Sequence, residues 1–168
     1  MTDDPPISDP SGALRFLPMA LDVNGKRCVV VGGGGVGTRK ALTLRRAGAI
    51  VTVISPAVTA ELAEQIKTGR LRWLKEAFRE EHLGDVFLAV AATDDEALNA
   101  TVARLAAQSG ALVCDASSAE RSQVIFGALH QGVDVTIAVF TDGRDPASAR
   151  RTRDRIAKLI DQSVSGSP

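Results

Sequence analysis

Between an apolar run, Arg27 to Val31, and a stretch with helical spacing lies Gly32-Gly33-Gly34-Gly35-Val36-Gly37. Glycines at 32, 34 and 37 make the GxGxxG pattern of a dinucleotide site. Gly32 permits a tight turn, Gly34 lets a pyrophosphate approach the backbone, and Gly37 lets the helix pack on the sheet. The free amides of the helix N-terminus then meet the negative charge. Alone, such a pattern also fits a purely structural turn. Here it has the strand before it and the helix after it that the chemistry needs. The usual acid at the end of the second strand, which would hold a ribose, is missing. Ser55-Pro56-Ala57 stands there instead, and Ser55 offers a single hydroxyl. No arginine follows to grip a 2′-phosphate, so NAD is favoured over NADP.

The elements that must position this loop follow from periodicity. Arg27–Val31, Ile50–Ile54, Leu71–Leu74, Val86–Ala92 and Ala111–Cys114 read as strands, mostly buried on both faces. Helices are predicted over Gly35–Ala47, stopped by Gly48, over Ala60–Thr68, and from Thr93-Asp94-Asp95 to about Gln108. That last helix carries Leu98, Val102 and Leu105 on one face. The alternation predicts a doubly wound parallel sheet. The pattern then changes. Gln123–Leu129 and Val133–Phe140 read as two strands joined near His130-Gln131-Gly132, close enough only for an antiparallel pair. A final helix spans about Pro146 to Gln162.

Composition excludes several classes. Apolar residues make 45%, enough for a core, and aromatics only 4%, too few for a base-stacking platform. Charges balance at 20 against 20, so no field favours nucleic acid or an anionic membrane. No apolar run reaches a membrane span, and Met1–Ser11 lacks the features of a signal peptide. Cys28 and Cys114 sit in strand-like runs and read as buried, reduced thiols, which points to the cytoplasm.

The chain also resembles a known family, that of precorrin-2 dehydrogenases, or sirohaem synthase N-terminal domains. The resemblance rests on Leu17–Val23, Val30–Lys40, Ala91–Asp95 with Asn99, and Thr136–Pro146 followed by Ala149-Arg150-Arg151. These stand in family order and spacing over about Leu17 to Ile160. It implies that NAD+ takes a hydride from precorrin-2, giving sirohydrochlorin. It also implies cofactor contacts at the glycine loop, notably Gly35 and Val36, and at Ser55, Pro56 and Ala57. Thr93 and Asp94 end the fourth strand, where a sheet of this kind opens its crevice, and are further candidate cofactor contacts.

Departures from the family qualify the chemistry. Counting back from Val124-Ile125-Phe126, the position of the family's aspartate past the fifth strand is Ser117. An aspartate stands two residues earlier, at Asp115, and in an extended strand i and i+2 share a face. Asp115 and Ser117 are therefore the catalytic candidates, Asp115 as base and Ser117 as the residue that positions substrate, with the substrate's own carboxylates as an alternative proton acceptor. The alternatives are a strand-end acid capping a loop amide and a plain loop serine. Gly127 replaces a frequent proline. The family turn reads Thr141-Asp142-Gly143 here, and Thr141, Gly143 and Arg150 are the candidate substrate contacts. Arg151, Arg153, Arg155 and Lys158 read as a solvated helix face balanced by Asp154 and Asp161. The sequence ends near Pro168, short of a further helical segment usual in the family, so iron insertion is not expected.

His82 and His130 lack ligand partners at metal spacing, and no metal site is expected. Trp73 reads as a packing residue. The expected organisation is a flexible leader (1–16), an NAD-binding Rossmann-like α/β domain (17–118), a C-terminal antiparallel dimerisation arm with a terminal helix (119–162) and a tail (163–168). A lone hairpin is only marginally stable, so the arm is expected to pack on a second copy. The expected partners are a tetrapyrrole and a homodimeric copy, with no nucleic acid and no membrane. The competing functions are a nucleotide- or tetrapyrrole-sensing module without turnover, and an NAD-dependent dehydrogenase of another substrate.

Overall fold

The structure, a computed structural model, describes residues 15–164. It divides into two compact units. One spans Leu21–Phe126; the other joins residues 15–20 with residues 127–164.

The larger unit is a parallel sheet of five strands: β1 (Arg27–Val31), β2 (Ile50–Ile54), β3 (Arg72–Leu74), β4 (Leu88–Ala91) and β5 (Leu112–Asp115), in the order β3-β2-β1-β4-β5. Alternation along β1 explains its unbroken apolar run. Cys28 and Val30 join the core on one face, and Val29 and Val31 the core on the other. Helices α1 (Gly35–Arg46) and α2 (Ala60–Lys67) supply Ala41, Leu44 and Leu62 to the first core. Helix α3 (Glu96–Gln108) supplies Val102, Ala103 and Ala106 to the second. The order reverses between β1 and β4. A ligand crevice opens at such a reversal, outside the C-terminal strand ends.

Helix α1 stops at Gly48, whose φ of +86° suits glycine and whose missing Cβ leaves room for the Asn24 side chain. Helix α3 starts on Asp95, whose carboxylate accepts from the Leu98 N–H at 3.0 Å. Its buried stripe is rotated from the expected one. Asn99, Val102, Ala103 and Ala106 are buried, whereas Leu98 and Leu105 are half-buried at its margin.

Gln123 to Gly127, expected as the start of a strand, is irregular. The reason lies at the sheet edge. Gln123 Oε1 accepts from the Val113 N–H at 3.0 Å, and Ser122 Oγ accepts from the Asp115 N–H at 2.9 Å. The N–H groups of Gln123 and Val124 both donate to the Val113 carbonyl. Side chains and backbone of this segment thus occupy the edge of β5, and Val124 and Phe126 pack back onto the first core. For this reason the larger unit ends at Phe126, later than the expected boundary at 118.

In the other unit β6 (Ala128–Gln131) and β7 (Thr136–Val139) form an antiparallel pair; β7 is shorter at both ends than expected, whereas β6 starts later and runs on through His130 and Gln131, expected in the turn. Helix α4 (Pro146–Val164) packs on both strands, and Arg153 donates to the Leu129 carbonyl at 3.0 Å. It extends past Gln162 to Ser163 and Val164, expected in the tail. The rest of that tail and residues 1–14 of the expected leader lie outside the described residues.

Candidate functional site

A groove of about 450 Å³ lies at the C-terminal ends of the strands. Gly34, Ser55, Pro56, Ala57 and Asp94, all named from sequence, line it. Gly33, Val58, Thr59 and Ala92 line it too, without having been expected as site residues. Asp94 is the only charged residue on its wall among the described residues.

The glycines of the loop divide by what surrounds them. Gly32 has a φ of +114°, and a Cβ there would strike the Ala92 carbonyl. A Cβ on Gly33 would strike the Ala57 carbonyl and Val58, and one on Gly37 the Gly32 carbonyl. The protein's own packing therefore requires these three. Gly34 and Gly35 are exposed, with nothing within 4 Å of their absent side chains. The α1 N-terminus has no side-chain cap and no acid in its first turn. Val36 beside it is 40% exposed. Open backbone, uncapped amides and a groove fit a dinucleotide pyrophosphate.

Around this loop two hydroxyls tie the helices together: Thr38 on α1 and Thr59, which caps α2, lie 2.8 Å apart. Trp73 is more than packing, since its indole N–H donates to the Ser55 carbonyl at 2.9 Å and fixes that wall. Thr93 turns away from the lining role expected of it. Buried Asn99 accepts from its N–H at 3.0 Å and donates to its carbonyl at 3.0 Å. Thr93 thus holds the loop that presents Asp94. Both cysteines are buried free thiols, and burial pushes Cys28 up to about 11.

At the end of β5 the structure brings Asp115 and Ser117 together. Asp115 Oδ1 accepts from both the N–H (2.9 Å) and the hydroxyl (2.6 Å) of Ser117. Oδ2 accepts from Arg121 Nε at 2.6 Å, and none of the side chain is exposed. Asn99 Nδ2 and Arg121 Nη2 each approach Ser117 Oγ within 3.3 Å. Burial pushes the Asp115 carboxyl up, but the donors from Ser117 and the Arg121 guanidinium together hold it below the ordinary aspartate value. Such a carboxylate accepts a proton poorly, so the expectation of Asp115 as a general base does not fit this geometry. It fits an anchor that orients Ser117. Sequence reasoning missed Arg121; the signal was a buried strand-end acid, which needs a cation nearby.

The remaining candidates belong to the other unit. The Thr141 hydroxyl donates to the Asp145 carbonyl at 2.9 Å and accepts from its N–H at 3.2 Å. It is engaged in the turn. Asp145 Oδ1 in turn accepts from the Ser148 N–H at 2.8 Å, inside the start of α4. Gly143 is exposed with φ +76°, and Arg150 is exposed on α4. No three metal-ligating side chains cluster among the described residues.

Residues 19–128 match the NAD_binding_7 family, described as NAD(P)-binding. The solved structure of "SirC, precorrin-2 dehydrogenase" superposes with a TM-score of 0.73 at 31% identity, covering 86% of this chain and 71% of that one. The chain belongs to the precorrin-2 dehydrogenase family. Siroheme synthases carry related sequence. That of Nitrosospira multiformis is 36% identical over 88% of this chain and 32% of its own. That of Azotobacter vinelandii is 39% identical over the same shares. The chain spans about a third of these relatives' length.

Two predictions follow from this family's loop and acid in their present setting. Gly34→Ala leaves stability within about 1 kcal/mol and weakens NAD+ binding roughly tenfold. Gly37→Ala destabilises by about 1–3 kcal/mol through overpacking. Urea unfolding and a cofactor titration separate the two. Because the Asp115 carboxyl is depressed in the fold, its contribution to stability is complete above about pH 4, where an unfolded aspartate ionises. It is lost as pH falls through the lower folded value. Asp115→Asn therefore unfolds more easily at neutral pH and shows a shallower loss of stability in acid, measured by urea midpoints across pH.

Proposed function

We propose that this chain is an NAD-dependent precorrin-2 dehydrogenase, converting precorrin-2 and NAD+ to sirohydrochlorin, NADH and a proton. The observation that carries this is the likeness to SirC over most of both chains, joined to a glycine loop in which Gly34 and Gly35 face open space although nothing in the protein would exclude a side chain there. When bound, NAD+ supplies the hydride acceptor. The α1 N-terminus with Gly34, Gly35 and Val36 holds the pyrophosphate. Ser55, Pro56 and Ala57 form the wall for the adenosine ribose, with Ser55 Oγ as its hydrogen-bond partner. Asp94 faces the same groove, on a backbone that Asn99 and Thr93 fix.

The Ser117 hydroxyl donates to Asp115 at 2.6 Å and accepts long contacts of 3.3 Å from Asn99 and Arg121, so a substrate donor that displaces one of these long contacts meets an oxygen already fixed in place. Asp115 acts through Ser117 rather than as the proton acceptor. The released proton passes to water or to a carboxylate of the substrate. Gly143 and Arg150 are retained as substrate contacts; Thr141 contributes through the turn.

A second reading has one observation in its favour: both oxygens of Asp115 are engaged, which leaves no free carboxylate at that strand end. On that reading the chain binds nucleotide or tetrapyrrole without turnover. NADH absorbance, with precorrin-2 generated in situ, decides between them. The expected outcome is NADH from wild type, a fall of roughly tenfold to a hundredfold in kcat for Ser117→Ala, through lost positioning, and a similar fall for Asp115→Ala. Absence of NADH from folded, NAD-binding protein would move the function to a sensor or to another substrate.

We also propose a homodimer built on the β6–β7 arm, where Leu129, Val133 and Val135 are exposed, Val133 at 89%. Sedimentation is expected to give a dimer mass, and a Val133→Asp, Val135→Asp double variant a monomer. Among the described residues no helix is long and apolar enough to cross a membrane. A cytoplasmic location accords with the two free thiols.

A further inference from the structure

Arg121 uses only part of its guanidinium to hold Asp115. Nε donates to Asp115 Oδ2 at 2.6 Å, and Nη2 reaches Ser117 Oγ at 3.3 Å. These contacts, on an acid with no exposed surface, fix the plane of the group. The fork made by Nη1 and Nη2 is left over. Nη1 has no partner among the described residues, and Nη2 meets Glu96 Oε1 at 3.5 Å. The Arg121 side chain is 32% exposed and that of Glu96 75% exposed. A charge-assisted bond is normally shorter than 3 Å, and so exposed a pair contributes little. Glu96 therefore stands on the fork loosely.

The location matters as much as the geometry. Glu96 opens α3 just past β4, and Arg121 follows β5, so the fork sits at the C-terminal strand ends where this fold class takes its ligands. A cation needed only to neutralise Asp115 would use the Nε edge and nothing more. A planar fork held rigid from behind is instead preorganised for a second carboxylate, taken side by side.

We propose that the outer fork of Arg121 is a binding site for a substrate carboxylate, and that Glu96 is an internal stand-in which the substrate displaces. This rests on the reading of the substrate as a carboxylate-rich tetrapyrrole. On binding, Glu96 swings to solvent, and the Arg121–Asp115–Ser117 chain links the anchored carboxylate to the hydroxyl that orients the ring. No covalent step is involved.

The test uses the full chain and uroporphyrin, a porphyrin with carboxylates on every pyrrole ring, titrated by its fluorescence. Glu96→Gln removes the competitor and is expected to tighten binding about two- to fivefold, the weight of an exposed ion pair. Arg121→Lys keeps a cation beside Asp115 but loses the fork, and is expected to weaken binding roughly tenfold. Affinity for NAD+ is expected to stay unchanged in both, which a general structural defect would not allow. If Arg121→Lys does not fold, Glu96→Gln decides alone, because its side chain is exposed and the Asp95 cap remains. Wild-type binding that neither substitution alters would overturn the fork site and leave the tetrapyrrole reading standing. No wild-type binding, together with no turnover of precorrin-2, would overturn that reading and the fork with it.

Discussion

At the C-terminal end of β1 three stretches of backbone approach so closely that no side chain fits between them. Gly32 lies under the Ala92 carbonyl, Gly37 against the Gly32 carbonyl, and Gly33 against Ala57. That contact seats α1 on β1 and sets the spacing of the β1, β2 and β4 loops. It also leaves the α1 amides pointing at open space rather than at a protein acceptor. The groove is a by-product of this packing: its walls are close because Gly32, Gly33 and Gly37 let them be. Gly34 and Gly35 alone in the loop are free of that demand, so the run of glycines serves two purposes in one turn.

A second polar centre organises the other side of the crevice. Asn99 satisfies Thr93 and reaches Ser117, and Asp115 satisfies Ser117 and Arg121. The result adds side-chain links to the backbone bond, Ala116 N–H to the Ala91 carbonyl, that already joins the ends of β4 and β5. It explains how a carboxylate can be buried at a strand end without leaving an unpaired charge. It also changes what the acid does. An unpaired carboxylate there would be a base; one clasped by a guanidinium, a hydroxyl and an amide is a fixed negative pole that aims its neighbours.

The alternating pattern made most of the larger unit legible. The first two strands and the start of the first helix stand where periodicity and glycine stops put them, because strong local signals agree there with the tertiary packing. The glycine groove was legible for the same reason, since strand, loop and helix are adjacent in sequence. What could not be read was what depends on contacts across irregular chain. Gln123–Phe126 looks like a strand by composition, yet its backbone folds back as Ser122 and Gln123 take the strand edge. Arg121 sits in a polar loop without period, so its pairing with Asp115 had no pattern to betray it. Leu98 and Leu105 mark a helix face by spacing, and only the packed sheet shows that Asn99 occupies the face's centre.

The way β5 is finished sets the width of the sheet. Ser122 and Gln123 offer the oxygens a sixth strand would offer, at the height of Asp115 and Val113. Two side chains, with the backbone N–H groups of Gln123 and Val124, imitate a neighbour, and the outermost strand presents a saturated border instead of a template. Lateral growth by a strand from another molecule would first have to evict them. The same border lies beside the Asp115 centre, so the device that guards against stray pairing between molecules also braces the loop on which the proposed substrate contacts stand.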